Sequence, residues 1–115
     1  MTKRSDAGAT ACPYRRTGHS PEPGVWRLNR LTEREREVLL LLGTGQGNRE
    51  LARELGIAER TVKAHIANIV AKLGQQTRTQ AAIVSALAHG SLCTDPMCSR
   101  HLGQIPAQRR AQSVA

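Results

Sequence analysis

The chain has 115 residues, one Trp, one Tyr, no Phe and a formal net charge of +8. That length accommodates one small domain with a core of Leu, Ile, Val and Ala, of modest stability alone. No apolar run approaches the ~18 residues of a membrane span, Lys3 and Arg4 lead into no apolar segment of a secretory signal, and three cysteines without such a signal fit a reducing cytoplasm.

Residues 1–27 gather Gly, Pro, Ser, Thr and Arg without periodicity, which predicts a flexible basic arm. Pro21 and Pro23 reinforce that reading, Val25, Trp26 and Leu28 are candidates for docking its end, and Arg15 and Arg16 make either phosphate contacts or a solubilising tail. The first helix is expected at Thr32. Thr32-Glu33-Arg34-Glu35 is a capping box, with Leu31 before it and Glu33, Glu35 and Glu37 near the positive end of the dipole. Val38, Leu39 and Leu42 form its core stripe, Leu40 and Leu41 widen it to suit a central helix, and Gly43 ends it. After Gly45-Gln46-Gly47, Asn48 is the expected N-cap of a short helix to Leu55, with Leu51, Ala52 and Leu55 inward and Gly56 as the stop.

A longer helix follows from Glu59 to Leu73, burying Val62, Ile66, Ile69, Val70 and Leu73 and closed by Gly74. A short helix, a tight turn with Gly and a longer helix make a helix-turn-helix pattern. The opposite face carries Arg60, Thr61, Lys63, Ala64, His65, Ala67, Asn68 and Ala71, and from Arg60 to Thr94 there is no Asp or Glu. A solvated helix face normally mixes both signs, so this one suits approach to a polyanion, and its alanines would let the backbone sink into a groove and touch thymine methyls. The plainer reading is a solvated basic face on a structural helix. Bulk charge does not decide between them, because residues 1–27 and 28–90 each carry +3 and residues 91–115 carry +2.

Thr77 and Gln80 form a second capping box for a helix running to about His89 and stopped by Gly90. Its body, Ala81 to Ala88, is apolar apart from Ser85. One face is assigned to the core and the other to self-association, with Ile83, Val84 and Leu87 as contacts. The rival reading wraps the helix in the tails. Residues 91–115 are read as a flexible tail. Cys93, Cys98 and His101 have C-x4-C-x2-H spacing, which could ligate zinc with Cys12 or His89 as a fourth donor. The spacing is looser than a zinc knuckle and a second pair is missing, so the sequence assigns no metal and no cofactor.

Leu31 to Gly90 resembles the LuxR/FixJ/GerE-type DNA-binding domain of bacterial transcription regulators. The resemblance rests on LTEREREVL, Gly-x-Gly-Asn-Arg-Glu-Leu-Ala, Thr-Val-Lys-x-His, Lys-Leu-Gly and Thr-Arg-Thr-Gln-Ala-Ala in that order and spacing. It implies an all-α, four-helix LuxR-type helix-turn-helix domain at 28–90 between flexible N- and C-terminal tails. By the same resemblance Lys63, Ala64 and Ala67 match positions that face bases, Asn48, Arg49, Thr61 and His65 match positions that meet the backbone, and the last helix makes the dimer contact. The sequence departs from the family pattern at Ala67, where a longer polar or basic residue is common, and at Ala58, where Ser often caps the helix.

The expected function is sequence-specific binding to double-stranded DNA at a pseudo-palindromic promoter site, as a homodimer in the cytoplasm at the nucleoid, with RNA polymerase a candidate partner. Two rivals remain: a protein-binding adaptor of the same shape, and a thiol- or metal-responsive regulator using the Cys93–His101 tail. An enzyme is not expected, because no nucleophile–base constellation, Gly-rich phosphate loop or apolar carboxylate pair is present. The 27 residues before the domain are too few for a receiver or ligand-binding domain, so the expectation is a single-domain regulator.

Overall fold

A computed structural model describes residues 11–100 of the chain. The elements are α1 (Pro13–Thr17), α2 (Glu22–Trp26), a 3-10 turn (Leu28–Arg30), α3 (Glu33–Leu42), α4 (Asn48–Leu55), α5 (Glu59–Leu73), α6 (Arg78–Leu87) and α7 (His89–Leu92), with no strand among the described residues. The four helices read from the sequence are α3 to α6. As expected, α3 is central and touches α4, α5, α6 and α7. Val38, Leu39 and Leu42 of α3, Leu51 of α4, Val62, Ile69 and Leu73 of α5 and Val84 of α6 form one buried cluster.

The capping box forms at α3 as its sequence dictates. Glu35 N–H donates to Thr32 Oγ1 at 3.1 Å, and Thr32 N–H donates to Glu35 Oε1 at 2.9 Å. Leu31 is buried beside it. The same carboxylate accepts from Lys72 Nζ at 2.8 Å. Glu35 stands in the first turn of α3 and Lys72 in the last turn of α5, so each charge also complements the dipole of its own helix. Burial is the largest influence on Glu35 and favours its neutral form. The bonds from Lys72 and Thr32 together outweigh it and hold the carboxyl below its ordinary value.

The turn between α4 and α5 is Gly56-Ile57-Ala58. Gly56 is left-handed at φ 69°, and Ile57 N–H donates back to Ala52 O at 3.0 Å while Gly56 N–H donates to Arg53 O. This paired closure needs a residue with no Cβ penalty, which is why the helix stops at glycine. Gly74 repeats it at the end of α5, with Gln75 N–H donating to Val70 O at 3.0 Å. Arginines then satisfy the carbonyls that helix ends leave over. Arg34 donates to Leu55 O at the end of α4, and Arg27 to Leu73 O at the end of α5.

The structure differs from the sequence reading at both edges of the domain. Within the segment assigned to a flexible arm, Pro13–Thr17 forms α1, and Glu22–Trp26 forms α2 and packs on α5 and α6. Pro23 does not prevent this, because proline fits the first turn of a helix, where its missing N–H costs nothing. Gly24 lets α2 approach closely, since a Cβ there would lie 2.7 Å from Val84 Cγ2. Val25 and Leu28 dock as expected, but Trp26 points outward and is 74% exposed. At the other edge α6 ends at Leu87 instead of near His89, and Gly90 lies inside α7 instead of stopping a helix. Leu92, assigned to the tail, is buried in the core because the short α7 turns it inward.

Candidate nucleic-acid interface

α5 sorts its residues cleanly by burial. Val62, Ile66, Ile69 and Leu73 are buried, whereas Arg60, Thr61, Lys63, Ala64, Ala67, Asn68 and Ala71 are exposed. His65 is half-buried at the edge of the stripe, and Val70 is likewise only partly covered. One side of the helix is therefore tethered to the bundle, and the other presents two cations, hydroxyl and amide donors and three methyl groups. Past Glu59 this surface carries no carboxylate. Ala58 caps the helix without a side-chain bond, as its lack of a hydroxyl requires. A Ser, Thr, Asn or Asp there would add about 0.5–2 kcal/mol.

α4 meets α5 at the site, but its start differs from expectation. Gly47 occupies the N-cap position, and Asn48 is the first residue of the helix, with no side-chain cap. The Asn48 side chain is turned instead to Arg78, whose Nη1 donates to Asn48 Oδ1. Arg78 Nη2 also donates to Gln46 O at 3.1 Å. A guanidinium aimed at Oδ1 outcompetes a neutral backbone N–H as its partner, because charge-assisted hydrogen bonds are about twice as strong. Arg78 thus straps the start of α6 to the start of α4. Asn48, Lys63, Ala67, Thr77 and Arg78 line one open groove. Sequence reasoning gives Arg78 no role of its own; its signal lies in the Thr-Arg-Thr-Gln run, which enters only as a cap and as part of the family resemblance. That cap forms in part. Thr77 Oγ1 accepts from Gln80 N–H at 3.1 Å, but Gln80 Oε1 accepts from Gln76 N–H rather than from Thr77.

Arg49 is exposed beside α5 and stands 3.8 Å from Glu59. Two groups of cations stand apart in the bundle. Arg27, Arg34, Arg36, Lys72 and Arg78 are spent on carbonyls, Glu35 and Asn48. Arg49, Arg60 and Lys63 lie exposed around the α4–α5 corner.

On α6 the expected contact set splits. Ile83 is 43% exposed and Leu87 59% exposed, one turn apart on the outer side. Val84 is fully buried and is not a surface residue, because α2 covers it where Gly24 allows close approach. Among the cysteines, Cys12 precedes α1 and is exposed, while Cys93 and Cys98 are half-buried near His89. His101 lies outside the described residues. No helix among the described residues is long and apolar enough to cross a membrane.

Residues 29–85 match the family model GerE, described as bacterial regulatory proteins of the luxR family. This segment belongs to the luxR family. The match spans the 3-10 turn, α3, α4, α5 and most of α6, the helices whose geometry is described above, and makes them a LuxR-type helix-turn-helix DNA-binding domain. Similar proteins include the transcriptional regulatory protein LnrK of Bacillus subtilis, 58% identical over 55 residues, 48% of this chain and 25% of that protein. The uncharacterized transcriptional regulatory protein YhcZ of the same organism is 45% identical over 65 residues, 56% of this chain and 29% of YhcZ. The response regulator VraR of Staphylococcus aureus is 53% identical over 53 residues, 46% of this chain and 25% of VraR. The chain therefore spans between a quarter and a third of the length of these relatives.

Proposed function

We propose that the chain regulates transcription by binding a short pseudo-palindromic promoter site as a homodimer, α5 of each copy entering one of two successive major grooves. The observation that carries this reading is the outward side of α5, basic and slim, with no carboxylate from Arg60 onward. Lys63, Ala64 and Ala67 face base edges, with Asn68 beside them. Lys63 donates to a base acceptor, and the alanines bring the backbone close and meet thymine methyls. Arg60, Thr61, His65, Asn48 and Arg49 meet phosphates, which supply most of the affinity and fix the register. The start of α4 adds exposed backbone amides to the same backbone contact.

Few cations face the groove in one copy, so a monomer binds weakly at physiological salt. Pairing through Ile83 and Leu87 doubles them and gives the site its two-fold symmetry. The test is retardation of genomic DNA fragments at low salt, followed by footprinting of the fragments retained. Two protected half-sites about one helical turn apart are expected. If no fragment is retarded at low salt, the reading fails, and a protein-binding adaptor of the same shape takes its place.

A further inference from the structure

Away from the α4–α5 corner the structure gathers an imidazole and two thiols. His89 opens α7, Cys93 directly follows that helix, and Cys98 returns through a turn in which its N–H donates to Asp95 O at 3.1 Å. One donor atom from each of His89, Cys93 and Cys98 lies within 4.8 Å of the other two. His89 Nε2 is 3.2 Å from Cys98 Sγ. All three side chains are half-buried, and they line a pocket together with Leu40, Leu41 and Ser85.

We propose that His89, Cys93 and Cys98 bind a zinc ion. Tetrahedral zinc with bonds of about 2.3 Å to sulfur and 2.0 Å to nitrogen sets neighbouring donors about 3.5–3.8 Å apart. The observed spread closes to that figure with side-chain rotations of about 1 Å, because the backbone already brings α7 and the Asp95 turn together. Two thiolates with one imidazole are soft and borderline donors that suit zinc over magnesium or calcium. Binding converts two thiols to thiolates and releases two protons, which leaves the centre with no net charge. That neutrality suits a half-buried position against leucines. Water fills the fourth position.

The centre would act as a clamp. Residues 93–100 already fold back on the bundle, since Arg100 Nη2 donates to Ala86 O at 3.1 Å, and α7 before them is held by Arg36, whose Nη2 donates to Ser91 O at 3.4 Å. Zinc fastens that segment to His89 at the start of α7, two residues after Leu87. The site shares no residue with the α4–α5 groove, so its failure leaves the DNA-binding reading standing, and the converse holds too.

The experiment uses full-length protein without a histidine tag, purified reduced from zinc-supplemented medium. Stoichiometric zinc is expected to survive gel filtration and to be lost from Cys98→Ser and His89→Gln. Cobalt replacing zinc should give a thiolate-to-cobalt charge-transfer band and the visible spectrum of a tetrahedral ion. Each substitution should weaken zinc binding by more than the roughly 10–100-fold that loss of an outer-sphere partner costs. Should a variant fold poorly, thiol reactivity of the unaltered chain gives the same answer: a chelator should make Cys93 and Cys98 react faster and leave Cys12 unchanged. Only trace zinc in the unaltered protein, an octahedral cobalt spectrum, or equal thiol reactivity with and without chelator would each overturn the proposal.

Discussion

α5 and α6 both pack one side against α3 and turn the other outward, yet their outward sides carry opposite chemistry. On α5 the exposed positions include Arg60, Thr61, Lys63, Ala64, Ala67 and Asn68, and on α6 they include Ile83 and Leu87. A basic, small-residue face loses little by waiting in water, because its cations and amides are hydrated until phosphates and base edges replace that water. An apolar pair is not satisfied by water, but it is narrow. Two side chains a turn apart suit a symmetric contact in which each copy supplies the same pair. The comparison teaches that helical periodicity finds the buried side of each helix, while the chemistry of the remainder indicates what that helix meets.

The sharpest way to break the comparison is Lys63→Glu. It replaces a groove-facing cation with an acid and leaves the buried side of α5 intact. A base or phosphate contact of this kind is worth about 1–3 kcal/mol, and a dimer loses two, so duplex affinity should fall by roughly 2–6 kcal/mol. Thermal unfolding should stay within about 0.5 kcal/mol of the parent, as for other exposed sites. Fluorescence anisotropy with a labelled operator fragment measures the first, and calorimetry the second. Unchanged affinity would remove Lys63 from the interface.

The next test separates the two sides of α6. Val84→Ala opens a cavity between α2 and α6 and should cost about 2–3 kcal/mol of stability, as other buried large-to-small changes do. Leu87→Glu, only three residues later, should leave the monomer's stability nearly unchanged and shift the chain toward monomer in analytical ultracentrifugation. A stable dimer of Leu87→Glu would move self-association to another surface, with Trp26 on the neighbouring α2 the first place to look.

This split also marks where the sequence was legible. The spacing of Val38, Leu39 and Leu42, the Thr32–Glu35 box and the glycines at 56 and 74 each act within one helix, so they could be read directly and they form as expected. What stayed hidden depends on partners distant in the chain. Val84 looked like its neighbours Ile83 and Leu87 until α2, some 60 residues earlier, covered it. Arg78 reaches back 30 residues to Asn48, and that reach reassigns the side chain expected to cap α4. The spacing groups Cys93 and Cys98 with His101 and offers His89 or Cys12 only as a fourth donor; the break between α6 and α7 sets His89 beside the two thiols, and His101 lies outside the described residues.

Glu35 offers a pH test that engages neither outward face. Its carboxyl titrates below the ordinary value near 4.5, so its contribution to stability is complete above that value. The contribution disappears as pH falls through the lowered folded-state value. Glu35→Gln keeps an acceptor for Thr32 N–H but loses the charge opposite Lys72. The two proteins should therefore differ in melting temperature at neutral pH and converge in acid, while DNA affinity per folded molecule at neutral pH stays the same. A difference that never narrows as the carboxyl is protonated would show that shape rather than charge holds α3 to α5.

The smallest effect expected, and the finest probe of the α5 surface, is Glu59→Gln. Glu59 is the last acid before the carboxylate-free run and lies 3.8 Å from Arg49, with both side chains exposed. Such a pair adds only about 0–1 kcal/mol to stability. Its position in the first turn of α5 adds a favourable dipole contact of about 0.3–1 kcal/mol. In a DNA complex the balance reverses, because the carboxylate would face phosphates and compete with them for Arg49. Removing the charge should cost a few tenths of a kcal/mol in folding and raise duplex affinity several-fold at low salt. The gain should fade as salt rises, since it comes from exposed charges screened over a Debye length of about 10 Å at 0.1 M. If affinity is unchanged at every salt concentration, the start of α5 does not face the duplex, and the groove would have to be read from the middle of the helix, at Ala64, Ala67 and Asn68.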